Sequence, residues 1–191
     1  MADKKGEEKM DKNFKVGDKI VRFGRVHEVF KIEEEKDFET EEMQEVIYFR
    51  PMYESSSSRD LICAIPVKNI DKTNMRRPMS DEKLKELMDL MDEKVEDPTK
   101  RFNTRQAKEV LKSNNPKKIA LIMKRLAVVR RDPDTNFTYT KKRLYRKGMK
   151  RLQEEIALIK DMEISETRKM LEKLLKKQAK LSLPLEEEEE D

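Results

Sequence analysis

Residues 61–95 read LICAIPVKNIDKTNMRRPMSDEKLKELMDLMDEKV, and the hydrophobic period changes inside them. Leu61-Ile62-Cys63-Ala64-Ile65-Pro66-Val67 is a short apolar run with a proline near its end, the pattern of a strand that stops there or lies at an edge. After Pro78 the period lengthens from two to 3.6. Leu84, Leu87, Met88, Met91 and Val95 form one helical stripe, Ser80 stands as N-cap, and Asp81 and Glu82 fill the first turn. Asp97-Pro98 breaks that helix. A β half therefore precedes an α half.

Upstream of the switch, Phe14-Lys15-Val16-Gly17-Asp18-Lys19-Ile20-Val21 alternates around a Gly-Asp turn. Val26, Val29, Phe30 and Ile32 follow, then an acidic, hairpin-like stretch from Glu33 to Glu45, then Val46-Ile47-Tyr48-Phe49-Arg50-Pro51-Met52-Tyr53. Ser55 to Ser58 read as a polar loop, and Gly17 and Gly24 as turn glycines. Four or five short strands in about 55 residues predict a small, strongly bent barrel. The aromatic strand Val46–Tyr53 reads as a candidate edge, either merely protected, as most edges are, or open to pairing with a partner's strand.

Downstream, a short helix is expected around Arg105–Lys112, with Ala107, Val110 and Leu111 inward. Asn115 caps the next, with Pro116 at its first position and Ile119, Ile122, Met123, Leu126 and Val129 as its stripe; it stops near Asp132-Pro133-Asp134. A longer helix starts near Thr140 and carries Tyr145, Met149, Leu152, Ile156 and Ile159. Ser165 is expected to cap a last helix with Leu171, Leu174 and Gln178 on one side. The expected fold is α+β: a small barrel over 14–78, then an all-α domain over 79–180. A disordered lead-in (1–13) and an acidic disordered tail (181–191) flank them. There is no internal repeat.

Composition narrows the function. The chain of 191 residues is 44% charged and 36% hydrophobic, polar but with enough apolar residues for modest cores. No apolar run is long enough for a membrane span, and the N-terminus lacks a secretory signal, so a soluble cytoplasmic protein is expected. The one cysteine, Cys63, rules out an intrachain disulfide and reads as a small core residue; the one histidine, His27, reads as structural or exposed. Neither a metal site, a cofactor motif nor a catalytic constellation is present, and the acidic run lacks the spacing of a calcium loop.

Charge is unevenly spread. Residues 14–98 carry 15 bases and 21 acids, a net −6, while residues 99–151 carry 18 bases against Glu109, Asp132 and Asp134, a net +15. Like charges at that density destabilise a compact unit unless a polyanion offsets them. Two helices show a basic pattern: Lys117, Lys118, Lys124, Arg125 and Arg131 on one, and Lys141, Lys142, Arg143, Arg146, Lys147, Lys150 and Arg151 on the other. Both sets are expected to lie away from their apolar stripes and to bind phosphates without reading sequence.

The order of these features resembles the CarD/CdnL family of bacterial RNA polymerase-binding transcription factors, whose first domain is shared with transcription-repair coupling factors. The opening is carried by Phe14–Val21, by Ile65-Pro66-Val67-Lys68-Asn69 and by Met75-Arg76. The α half is carried by Leu111-Lys112-Ser113 through Lys118-Ile119-Ala120, by Arg125-Leu126, by Lys142-Arg143-Leu144, by Leu152 and by Glu155-Ile156-Ala157. The resemblance covers about residues 14–175.

It implies a Tudor-like (SH3-like) barrel that pairs with the polymerase β subunit, here around Val46, Tyr48, Arg50, Tyr53, Ile62 and Ala64. It also implies a helical domain on promoter DNA at the upstream edge of the bubble, stabilising the open complex, and a monomeric, nucleoid-associated protein. The family's wedge tryptophan aligns with Lys100, and the chain has no tryptophan. Phe102, flanked by Arg101 and Arg105, either replaces it or packs as core. Arginines that grip polymerase are replaced, one by Ala64 and another near Glu35. The alternative is a general RNA- or ribosome-associated binding protein.

Overall fold

The computed structural model describes residues 13–53, 61–98 and 100–183. The expected lead-in, the Ser55–Ser58 loop and the acidic run Glu186–Asp191 lie outside the described residues, apart from Asn13. By contacts the chain divides into two compact units, Met1–Arg22 with Val26–Pro78, and Phe23–Arg25 with Met79–Asp191.

The first unit is an antiparallel meander in the order β1 (Lys19–Arg22), β2 (Arg25–Lys36), β3 (Met43–Pro51) and β4 (Cys63–Pro66). β1 and β2 are joined by the two-residue turn Phe23-Gly24, both with positive φ (50° and 69°), as tight hairpins with right-twisted strands require. β2 bulges at Phe30, where Val29 pairs with Phe49 but Lys31 pairs with Tyr48; the extra residue bends the strand. A 3₁₀ turn, Val67–Lys72, then carries the chain round to a bridge between Val21 and Arg76. That bridge returns the chain from the β4 end of the sheet to β1, so the sheet curls into the small barrel its turns foretell. Phe14, Ile20, Val29, Ile47, Phe49, Ile65, Ile70 and Met75 fill it. His27 is buried edge-on to Phe49, a packing role, and Cys63 is partly buried against the same core.

One expectation is corrected here. Val46–Tyr53 reads from sequence as a candidate edge, yet β3 lies between β2 and β4, so its backbone is spoken for on both sides. The edge beside it is β4. Aromatic content misled because Tyr48 and Arg50 dress an outward sheet face, not an outward edge.

The β2–β3 turn holds itself by charge. The Asp37 carboxylate accepts from the Glu39 and Thr40 amides (2.9 and 3.3 Å) and from the Lys68 ammonium at 2.5 Å. These partners, Lys68 foremost, bring its carboxyl from the ordinary 3.8 down to about 2. A depressed carboxylate contributes fully above its unfolded value, and the contribution is lost as pH falls through the folded one. The Glu39 and Thr40 amide resonances should therefore titrate near pH 2, and Lys68→Ala should move that midpoint up toward 3.8. An unmoved midpoint would remove Lys68 as the cause.

The second unit holds α1 (Asp81–Asp92), α2 (Thr104–Lys112), α3 (Pro116–Arg131), α4 (Tyr139–Lys160) and α5 (Ile164–Ser182). Ser80, Asn103, Asn115 and Thr138 each accept a hydrogen bond from a first-turn amide, so four of five helices start on a side-chain cap. Ser165 does not cap α5; the cap position is Glu163, without a side-chain bond. On α5 the fully buried leucines are Leu171 and Leu175, with Leu174 half-buried. Met79 donates its amide to the buried Glu155 carboxylate at 2.8 Å, fixing the entry to α1.

Candidate nucleic-acid interface

α3 and α4 carry similar basic patterns, and their neighbours decide what each does with it. α3 packs against α1, α2, α4 and α5, and is buried at Ile119, Ala120, Met123, Leu126, Ala127, Val128 and Val129. With neighbours on so many sides, three of its six bases, Lys124, Arg125 and Arg131, turn to neighbouring backbone. Lys124 is buried, contrary to the expectation that it faces away from the apolar stripe. Its ammonium donates to the Leu90 carbonyl at 2.5 Å, one of the orphan acceptors in the last turn of α1, a turn with no base of its own. Burial pushes the Lys124 amine down, opposed by Glu93, Glu96 and Asp92.

The Arg125 guanidinium donates to the carbonyls of Asp97 and Lys100 and so holds the α1–α2 connection. Arg131 donates to the Leu183 carbonyl at 3.0 Å, and Lys117 pairs with Glu86 at 2.5 Å. Only Lys118 among the candidate bases of α3 keeps its side chain exposed and without a bond among the described residues. α3 is a structural keel.

Around the α1–α2 connection, Lys100, Arg101, Phe102, Lys124 and Arg125 line one cleft of about 540 Å³ together with Glu93, Glu96 and Asp97. Those acids dilute its charge. Phe102 is half-buried against the helical core and shows its remaining surface in this cleft.

α4 is different. Leu144, Gly148, Met149, Leu152 and Ile156 point inward, while Lys142, Arg143, Arg146 and Lys147 are exposed. Their side chains make no hydrogen bond or ion pair among the described residues, nor does half-buried Lys150. At about 100° per residue these five span an arc of about 140° on one face. Lys141 is partly withdrawn, its ammonium on the Asn136 carbonyl at 2.7 Å. On α2, which packs against α4, Arg105 is exposed and likewise without a side-chain bond. Cations held this close with no counter-charge are poised to neutralise phosphates, whose counterions leave on binding.

Sequence reading missed a second basic group. Arg130, Arg168 and Lys176 share a cleft with Lys142 and Arg146. The net −5 of residues 152–191 concealed Arg168 and Lys176, although six of its twelve acids are the terminal Glu186–Asp191 and two more, Glu154 and Glu155, are buried. Charge counted by segment cannot see which charges reach the surface.

In the β unit, Tyr48, Arg50 and Ala64 fall together: Tyr48 is opposite Ala64, and Arg50 lies two residues along on the same face. Arg50 is exposed, its guanidinium 5.5 Å above the Phe30 ring, and the Tyr48 hydroxyl bonds Glu35. Ile62 is 62% exposed just before β4, and Tyr53 is half-buried. Val46 is buried and offers a partner nothing.

Among the described residues no helix is long and apolar enough to cross a membrane, and no group of His, Cys, Asp and Glu is placed to hold a metal. No curated protein matches the chain. The family model described as the CarD C-terminal domain matches residues 84–172, from within α1 into α5. The match includes all of α2, α3 and α4, hence both the keel and the free basic face. The helical half is thus similar to the C-terminal domain of CarD, which supports the resemblance of the chain to the CarD/CdnL family of transcription factors.

Proposed function

We propose that this protein is a transcription factor that binds promoter DNA through the free face of α4 and the RNA polymerase β subunit through its β unit, and that it lengthens the life of the open complex. The observation that carries the reading is the unpartnered set Lys142, Arg143, Arg146 and Lys147 on a helical domain similar to the CarD C-terminal domain. Such a face gives affinity and register on a duplex but no base readout, so binding is indifferent to sequence. The polymerase contact is supported by the resemblance of the β unit and by edge strand β4, beside which Tyr48, Arg50, Ile62 and Ala64 display mixed aromatic, basic and small side chains. A strand edge with adjacent side-chain sites suits β-strand addition by a partner. No chemistry is assigned to the protein, in keeping with a non-enzymatic family.

Affinity capture of the tagged full chain from its own cells tests this. Polymerase subunits should co-purify in nuclease-treated lysate. Recovery of ribosomal proteins and rRNA in their place would assign the protein to translation.

A further inference from the structure

The cleft of about 510 Å³ that holds Lys142 and Arg146 has a second character: three aromatic rings stand in its wall, Phe137, Tyr139 and Tyr145. Tyr139 opens α4 and is 72% exposed, a large ring left in solvent at the rim. Phe137 meets Tyr145 edge-on at 6.4 Å and 78°, and the Arg130 guanidinium lies 5.5 Å over the Tyr145 ring. The loop that presents these rings is fixed from within. Asp132 accepts from the Asp134 amide (3.0 Å) and the Thr135 hydroxyl (2.5 Å), and Lys141 clamps the Asn136 carbonyl.

Around the rings the cleft is cationic. Its one acid, Glu172, is paired with Arg168 at 2.9 Å. A second cleft of about 450 Å³ shares Arg130, Tyr145 and Lys176 with the first and continues past Lys177 and Lys180. From Arg168 to Lys180 the track follows α5 for about 18 Å at 1.5 Å per residue. One ring exposed at the rim with two half-buried behind it, flanked by bases extended along a line, matches a flexible polyanion that carries flat apolar groups. A duplex does not fit that description, because its base faces are stacked on each other and unavailable to a ring.

We propose that the α3–α4–α5 cleft binds single-stranded DNA, stacking an unpaired base on Tyr139 at the rim and holding the flanking phosphates with Lys142, Arg146 and Lys176. This deepens the nucleic-acid reading of the helical domain and rests on it. It adds a ligand state, the melted strand, that the outward face of α4 alone does not select.

Anisotropy titrations of the full chain test it with three labelled probes, a short oligothymidylate, a short oligouridylate and a duplex of similar length. The wild-type protein should bind the oligothymidylate and the duplex. Tyr139→Ala should weaken the oligothymidylate roughly tenfold and leave the duplex unchanged, since one base–ring stack is lost. Tyr139→Phe should restore binding. Tyr139 is exposed at the first position of its helix, so neither change threatens the fold. Equal weakening of both DNA probes, or of neither, overturns the proposal. So does tighter binding of oligouridylate than of oligothymidylate, which would assign the cleft to RNA. Duplex binding without any single-strand binding overturns this inference and leaves the proposed function standing; binding to no probe overturns both.

Discussion

Lys142→Glu combined with Arg146→Glu lowers affinity for duplex DNA by two to three orders of magnitude at low salt, without loss of fold. A cation at a phosphate contributes roughly 1 kcal/mol in a solvent-like dielectric, and its reversal adds a repulsion of similar size. Two such reversals total about 4 kcal/mol, or nearly three decades. Neither side chain has a partner within the described protein, so stability is unaffected. Salt dependence gives the second signature. With four exposed cations on α4, the slope of log affinity against log salt should be near −4, and the double reversal should flatten it by about two. All sequences should weaken alike, because phosphates carry no code. The same reversals on α3 should do less to DNA and more to the fold, Lys124 being buried against the end of α1. A steep preference for one sequence, with a shallow salt slope, would replace this picture with direct base readout.

The second large effect lies inside α4. Gly148 is buried where α4 packs on α3, and a β-carbon there would stand 2.2 Å from the Met123 sulfur. Met123 is itself fully buried, so it has nowhere to swing. Gly148→Ala gains about 1 kcal/mol of helix propensity and loses more to overpacking. Gly148→Val adds branches to the clash and surrenders most of that propensity, for a net loss of about 3 kcal/mol. For a helical unit of this size the melting temperature should fall by roughly 10–20 °C. Shortening the opposing side chain should return part of the loss, so Gly148→Ala with Met123→Ala should be less destabilised than the sum of the singles. Additive losses would mean that the two residues do not meet. The notch matters for function because it seats α4 with its basic face outward.

How far the sequence could be read follows from which signals are local. The switch of period after Pro78, the Phe23-Gly24 turn region and the caps Ser80 and Asn115 depend on near neighbours, and each was legible or nearly so. A cap slipped at α5, where Ser165 was expected and Glu163 stands at the cap position without a side-chain bond. The fate of Lys124 depended on α1 lying across α3, a fact written in neither helix alone. One clue was available: α3 is apolar through residues 119–123 and again through 126–129, an arc too wide for a helix with one buried side. A helix of that kind has few free surfaces, and its bases should have been assigned to neighbours. The Phe137–Tyr139–Tyr145 cleft was illegible for a related reason, since three segments build it and the acidic terminus masked the bases of α5. Edge status of β3 was misjudged because strand order in a meander is set by hairpins on both sides, not by the strand's own composition.

The lifetime of the open promoter complex, measured as decay of heparin-resistant complexes on a linear promoter fragment, joins these threads. Added at saturation over the polymerase of the same cells, the wild-type protein should lengthen that lifetime several-fold. The Lys142→Glu, Arg146→Glu variant should still co-purify with polymerase and should lose the effect. A variant that retains polymerase binding and lengthens the lifetime as the wild type does would contradict the assignment of α4 as the DNA-binding face.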